Sequence, residues 1–239
     1  RLTAEEETKL LEAAIQSPTS FNIQHWRFVL IKDAALRKQV REVGNDQAQM
    51  TDATLLVLMT ADVKAREKEP SRYWKDAPKD VAELLVNWMG PFHQGREWLQ
   101  RDEAQRAIGM AMMTLMLAAK AMGYESCPMI GFDLEKVGEL VWLPADHVIG
   151  PMVAIGRGTK DAWPKPGQLG LDEVVRGGGQ FGVDARVPLH EARVVIRVCR
   201  DAVRECLRHL RREVPLVGFE LQDVLERRQR LLQHGAVEV

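Results

Sequence analysis

Ser17-Pro18-Thr19-Ser20-Phe21-Asn22-Ile23-Gln24-His25-Trp26-Arg27-Phe28 is the stretch on which the reading of this chain turns. A helical pattern stops ahead of it. A small, polar, Pro-broken turn then runs straight into an apolar strand. Hydroxyls on Thr19 and Ser20 and carboxamides on Asn22 and Gln24 crowd into this short turn. Such groups can grip a flat heterocycle rimmed with carbonyls and ring nitrogens. Taken alone, a helix stop before a strand explains Ser, Thr, Pro and Asn equally well. Gln24 and Trp26 in this order, and the segments described below, favour the ligand-gripping reading.

Working outward, Thr3 followed by Glu6 predicts a capping box, and Leu10, Leu11, Ala14 and Ile15 give that helix an apolar stripe. Trp26 to Ile31 reads as a strand, and Asp33 opens a second helix to about Val43. The run Thr54 to Thr60 is continuous, apolar and β-branched, which predicts a buried strand. Residues 62–100 mix Trp74, Trp88 and Trp98 with many charges, and Pro70, Pro78 and Pro91 read as breaks. Short helices and loops are expected there, either as a solvated excursion or as a lid over an aromatic-accepting pocket. Residues 102–123 form a long helix, apolar round much of its circumference and therefore buried on several sides. Asp133 begins a short helix to about Leu140. Val148 to Gly156 reads as a third strand, with Pro151 predicting an edge position or a bulge.

Composition sets the broad class. The 239 residues suffice for one well-buried domain with chain to spare. A net charge of −1 gives no electrostatic footprint for nucleic acid. No apolar run reaches the roughly 18 residues needed to span a bilayer. Cys127, Cys199 and Cys206 have unrelated spacings and make neither a disulfide framework nor a zinc site, so a reducing cytoplasm is expected. His25, His93, His147, His209 and His234 offer no metal constellation. Gly156-x-Gly158 lacks the third glycine of a dinucleotide fingerprint. Cys127 has no activating base nearby in sequence and reads as packing.

Two further segments follow in order. Gly123-Tyr124-Glu125-Ser126-Cys127-Pro128-Met129-Ile130-Gly131-Phe132-Asp133 is the second. Trp163-Pro164-Lys165-Pro166-Gly167-Gln168-Leu169, after the last predicted strand, is the third. Together with the opening turn they resemble the FMN-dependent nitroreductase family over residues 1–176. The turn is similar to that family's Pro-Ser/Thr-Ser-x-Asn-x-Gln-x-Trp, and the second segment to its Gly-x-x-Ser-x-Pro-x-x-Gly-Phe.

The resemblance implies an α+β fold, with a central antiparallel or mixed sheet flanked by helices, paired as an intertwined homodimer. It implies FMN as cofactor and NADH or NADPH as hydride donor, with nitroaromatics, quinones or related small molecules as acceptors. Pro18, Thr19, Ser20, Asn22 and Gln24 would lie against the flavin at the dimer interface. Gln49 resembles, less closely than the other positions, one that contacts the pyrimidine edge; a mid-helix Gln is more often plain surface. Pro128, Met129, Ile130 and Gly131 would lie over one flavin face. A backbone N–H of Ile130 or Gly131 would then serve flavin N5, so these two are the catalytic candidates. Backbone donors suit that task because they are fixed before reaction. Relatives often carry Glu where Ile130 stands. Lys165 matches the cation that reaches the FMN phosphate, and Gln168 stands where many relatives have Arg.

Two departures accompany the resemblance. The family usually opens with an Arg-rich phosphate-binding segment, and this chain is read as starting after it. Charge-assisted bonds are worth roughly 1.5–3 kcal/mol each. Losing two would weaken FMN by about two to four orders of magnitude. The second departure begins at Gly177-Gly178-Gly179, read as a linker over 177–183. From Asp184 to the end the chain has Arg and no Lys. There Val195, Cys199, Val203, Cys206 and Leu210 oppose Arg193, Arg197, Arg200, Arg204, Arg208 and Arg211, which predicts an amphipathic helix. The alternative function is thus a flavin-poor or inactive relative acting as an interaction module through this Arg-rich tail.

Overall fold

A computed structural model describes residues 2–175. The predicted linker and helical tail lie outside the described residues. The chain divides into two units, one ending at Pro164 and one beginning at Lys165.

In the first unit, α1 (Ala4–Ala14) opens with the expected capping box. Thr3 Oγ1 accepts from the Glu6 amide at 3.2 Å, and Glu6 Oε2 accepts from the Thr3 amide at 2.7 Å. β1 (Trp26–Leu30) leads to α2 (Ala34–Glu42), whose first turn is capped by Asp33 Oδ1 accepting from the Leu36 amide at 2.7 Å. The single-turn helix α3 (Gln49–Asp52) precedes β2 (Leu55–Asp62), buried along its whole length. α4 (Lys79–His93), α5 (Glu97–Ala121), β3 (Glu125–Met129), α6 (Leu134–Leu140) and β4 (His147–Gly156) follow. The strands form one sheet in the order β1-β2-β4-β3, and every pairing is antiparallel. This is the expected α+β class. One core cluster, with Met50, Leu56, Leu58, Phe132 and Met152, sits under α2 and α6.

The structure revises four local expectations. Pro151 lies in an interior strand, not at an edge. The bulge alternative holds, because Leu58 pairs with Met152 but Thr60 with Ile149. There Gly150 meets α5 so closely that a Cβ would fall 2.6 Å from Ile108 Cγ2. Residues 125–129, for which no strand was expected, form edge strand β3, where Pro128 is tolerated. Pro78 caps and Pro91 sits inside the 15-residue α4, so the 62–100 excursion is more regular than its prolines suggest. Finally, α5 begins at Glu97, and although Ala107, Ile108, Ala111 and Leu115 are buried, Met110, Met113 and Leu117 form an exposed stripe. No helix of the described residues is long and apolar enough to cross a membrane. In the second unit the described residues include one short helix, α7 (Leu171–Val174).

Candidate functional site

The turn before β1 is a strained, well-anchored structure. Phe21, Asn22 and Gln24 all have left-handed backbones, with φ of 50°, 54° and 54°. Side chains other than Gly adopt this region at a cost, and such strain collects where geometry matters. Thr19 Oγ1 accepts from the Gln24 amide at 2.9 Å, and Asn22 Nδ2 donates to the Tyr73 carbonyl at 2.7 Å. Arg27 Nη1 donates to the carbonyls of Gln24 and Trp26, both at 2.8 Å. Ile23 is fully buried beside Ala65, Tyr73 and Met89. Thr19 and Asn22 are therefore engaged in holding the turn. Pro18 is exposed. The side chains of Ser20 and Gln24 have no hydrogen-bond partner among the described residues.

Behind the turn lies a buried histidine pair. His25 is 2% exposed and His93 is 0% exposed. His93 Nδ1 lies 2.8 Å from the Met89 carbonyl, so Nδ1 carries the proton and the buried Nε2 finds no partner. His25 Nδ1 is also buried without one. Burial first, then the neighbouring His93 and Arg27, push the His25 pKa down to about 4, with Asp62 opposing. Phe21 packs on Phe92 and His93, at ring separations of 5.2 and 5.8 Å. The 62–100 excursion thus touches the turn directly.

The second group gathers beyond the far edge strand. β3 ends at the buried Met129, and Ile130 and Gly131 follow in the open. Three carboxamides meet this segment. Asn45 Nδ2 and Gln47 Nε2 each donate to the Gly131 carbonyl at 2.9 Å. Gln49 Nε2 lies 3.9 Å from Cys127 Sγ and 3.3 Å from Gln47 Oε1. The Phe132 amide donates to the Ile130 carbonyl, and the Asp133 amide to the Val43 carbonyl, both at 2.9 Å. The amides of Ile130 and Gly131 have no acceptor among the described residues. Gln49 is half-buried against β3 and not on an open helix surface. Asn45 and Gln47 were not singled out in the sequence; the repeated carboxamides of Asn45, Gln47 and Gln49 were the available signal. A Cβ on Gly131 would meet Asn45 Nδ2 at 3.5 Å, an ordinary contact.

The sheet order separates the two groups. The turn precedes edge strand β1, and Ile130 follows opposite edge strand β3. Three strand spacings come to about 14 Å. No hydrogen bond among the described residues joins them. Pro128 is exposed on β3. Lys165 and Gln168 belong to the second unit, where Lys165 Nζ donates to Gln168 Oε1 at 2.6 Å and both are exposed.

A further cluster had no signal in sequence spacing. Asp62, Asp146 and His147 come together beside the β2–β4 pair. Lys68 Nζ donates to Asp62 Oδ2 and Asp146 Oδ2, each at 2.7 Å, so an ammonium already bridges the two carboxylates. Hydrogen bonds from Lys68 and then His147 hold the Asp146 pKa down to about 2.

Comparison with known proteins settles the family. The Nitroreductase family model matches residues 1–157. The chain belongs to the nitroreductase family. DrgA of Synechocystis sp. is 63% identical over 180 residues, which span 73% of this chain and 86% of DrgA. YodC of Bacillus subtilis, assigned as an NAD(P)H nitroreductase, is 28% identical over 166 residues, 67% of this chain and 82% of YodC. Among solved structures, a protein of Exiguobacterium sibiricum, assigned as a nitroreductase and solved in complex with FMN, superposes with a TM-score of 0.68. It is 22% identical, and the match covers 74% of this chain and 87% of that one, which shows the fold. Nitroreductases use FMN with NAD(P)H, so membership makes the chain an oxidoreductase of that kind.

Proposed function

We propose that this nitroreductase binds FMN non-covalently and passes hydride from NAD(P)H to nitroaromatic, quinone or related small-molecule acceptors. The observation that carries the reading is the pair of free N–H donors on Ile130 and Gly131, exposed beside Gln49. That donor set fits the group. The flavin ring presents carbonyl oxygens and ring nitrogens, and preorganised backbone donors answer them without reorganisation. When bound, FMN supplies the centre that accepts hydride and gives it up again.

The chain's own residues orient and shield. Ile130 and Gly131 offer their N–H groups to the ring edge, and the Gln49 carboxamide can both donate and accept at the pyrimidine side. Pro128 and Met129 place these donors at the end of β3. The Ile130 side chain is 59% exposed and brings no carboxylate, so it keeps this face drier than Glu would. Lys165, with Gln168 beside it, is the proposed phosphate cation.

We infer further that the working unit is a homodimer. The turn of Pro18, Thr19, Ser20, Asn22 and Gln24 lies at the sheet edge opposite to Ile130. One ring cannot readily be gripped by both from a single chain, whereas the turn of a second copy can close over it. The exposed Met110, Met113 and Leu117 stripe on α5 gives that copy an apolar seat.

The test is a titration of the purified protein with FMN, followed by flavin absorbance. Saturation, reduction by NADH or NADPH, and weaker binding by Lys165→Ala are expected. No saturable binding at high micromolar FMN would sink the flavin reading and leave the interaction-module alternative. Light scattering checks the dimer; a fully active monomer would contradict it.

A further inference from the structure

The segment from Ile130 to Asp133 is held by hydrogen bonds in series that begin on two side chains. Asn45 and Gln47 converge on one acceptor, the Gly131 carbonyl, at 2.9 Å each. The N–H of that same peptide group is that of Phe132, and it donates to the Ile130 carbonyl at 2.9 Å, closing a tight three-residue turn. The Ile130 carbonyl in turn shares its peptide group with the Gly131 N–H, which has no acceptor among the described residues.

A carbonyl that accepts a hydrogen bond draws electron density from its peptide nitrogen, and the attached N–H becomes a better donor. Bonds in series reinforce one another. Here the series starts on two carboxamides, crosses two peptide groups and ends on a free, exposed N–H.

The base of the series is rigid. Asn45 and Asp46 hold left-handed backbones, with φ of 54° and 53°. Gln47 Nε2 also donates to the Gly44 carbonyl at 3.0 Å. Beneath them the fully buried Met50 packs so close to Gly44 that a Cβ there would lie 2.5 Å from its sulfur. The carboxamides therefore present fixed donors.

We propose that Asn45 and Gln47 are positioning residues, which act through the Phe132 and Gly131 peptide groups to fix the Gly131 N–H and strengthen it as a hydrogen-bond donor to the flavin. This rests on the FMN reading above. Neither side chain needs to touch the flavin for the effect. Because both share one carbonyl, either alone preserves part of it.

The experiment compares wild type, Asn45→Ala, Gln47→Ala and the double variant, each loaded with FMN. The double variant should bind FMN within roughly threefold of wild type, because the donors themselves remain. Its rate of flavin reduction by NADH should fall about tenfold, as expected for a misplaced reacting geometry. Its flavin midpoint potential should move negative, because a weaker donor stabilises the electron-rich reduced ring less. Each single variant should show less than half of that shift. A general structural role would lower thermal stability without moving the potential. Wild-type potential and reduction rate in the double variant would overturn the proposal. Should the double variant not fold, the two single variants carry the test: each should still move the potential negative by its smaller amount, and an unmoved potential in both overturns the idea. If wild type takes up no FMN, the flavin reading fails by itself. The series is then judged in the free protein by NMR. There the Gly131 amide proton should move upfield in the double variant, and an unchanged shift refutes it.

Discussion

Asn22 Nδ2 donates to the backbone carbonyl of Tyr73 at 2.7 Å. This bond ties the strained turn ahead of β1 to the 62–100 excursion, and Tyr73 OH in turn donates to the Ala65 carbonyl at 2.8 Å. A residue read from sequence as a ligand contact thus holds the turn in shape as well. Asn also tolerates the left-handed φ of 54° better than most residues.

Asn22→Ala should therefore destabilise the protein by about 2 kcal/mol, one part from the lost hydrogen bond and one from backbone strain. Asn22→Gly should recover the backbone part alone. Urea unfolding of the three proteins checks the order wild type, Gly, Ala.

Stability should fall as pH drops from about 6.5 to about 4. His25 is neutral in the folded chain down to a pKa of about 4, whereas the unfolded chain takes up a proton near the ordinary value of 6.5. Between those values the unfolded state binds more protons, so stability rises with pH. The full span corresponds to about 3 kcal/mol. His25→Phe should flatten this part of a denaturant-midpoint curve measured against pH.

Lys68→Met should cost about 2 kcal/mol, because it strips the main cation from the buried Asp62 carboxylate. Arg27, at 3.9 Å from Asp62, pairs with it beyond hydrogen-bond distance and compensates only in part. Double replacement by Lys68→Met and Asp62→Leu should cost less than the sum of the single changes, which a double-mutant cycle in urea would read.

Gly44→Ala should cost about 1–3 kcal/mol by overpacking. Its Cβ would lie 2.5 Å from Met50 Sδ and 2.9 Å from the Val40 carbonyl. Thermal unfolding should show the loss, and a cycle with Met50→Ala should return a coupling of about 1 kcal/mol.

Ile130→Glu should change acceptor preference more than flavin reduction. The backbone donor is retained, while a carboxylate makes an exposed face wetter. Stopped-flow measurement of the two half-reactions separates these effects; equal changes in both would contradict the division.

Local chemistry was legible in the sequence. Thr3 and Glu6 form the capping box their spacing implies, Asp33 and Asp133 cap α2 and α6, and the apolar run before Asp62 is the buried strand β2. These features rest on interactions within a few residues, or on a burial pattern that one strand displays alone. Edge strand β3 was not legible, because Ser126, Cys127 and Pro128 carry no alternation and pair only through the β4 backbone. Likewise Pro151 has an interior position that only its neighbours on both sides define.

The family was readable from short ordered motifs, whose polar side chains and turn residues carry their chemistry locally. Which distant groups those residues meet came from the three-dimensional fold. It set Asn22 on Tyr73, brought Asn45 and Gln47 to Gly131 across more than 80 residues of chain, and placed the turn and the Ile130 loop at opposite edges of one sheet. Those relations depend on strand order and on hydrogen bonds between distant segments, and neither leaves a periodicity or a spacing in the chain.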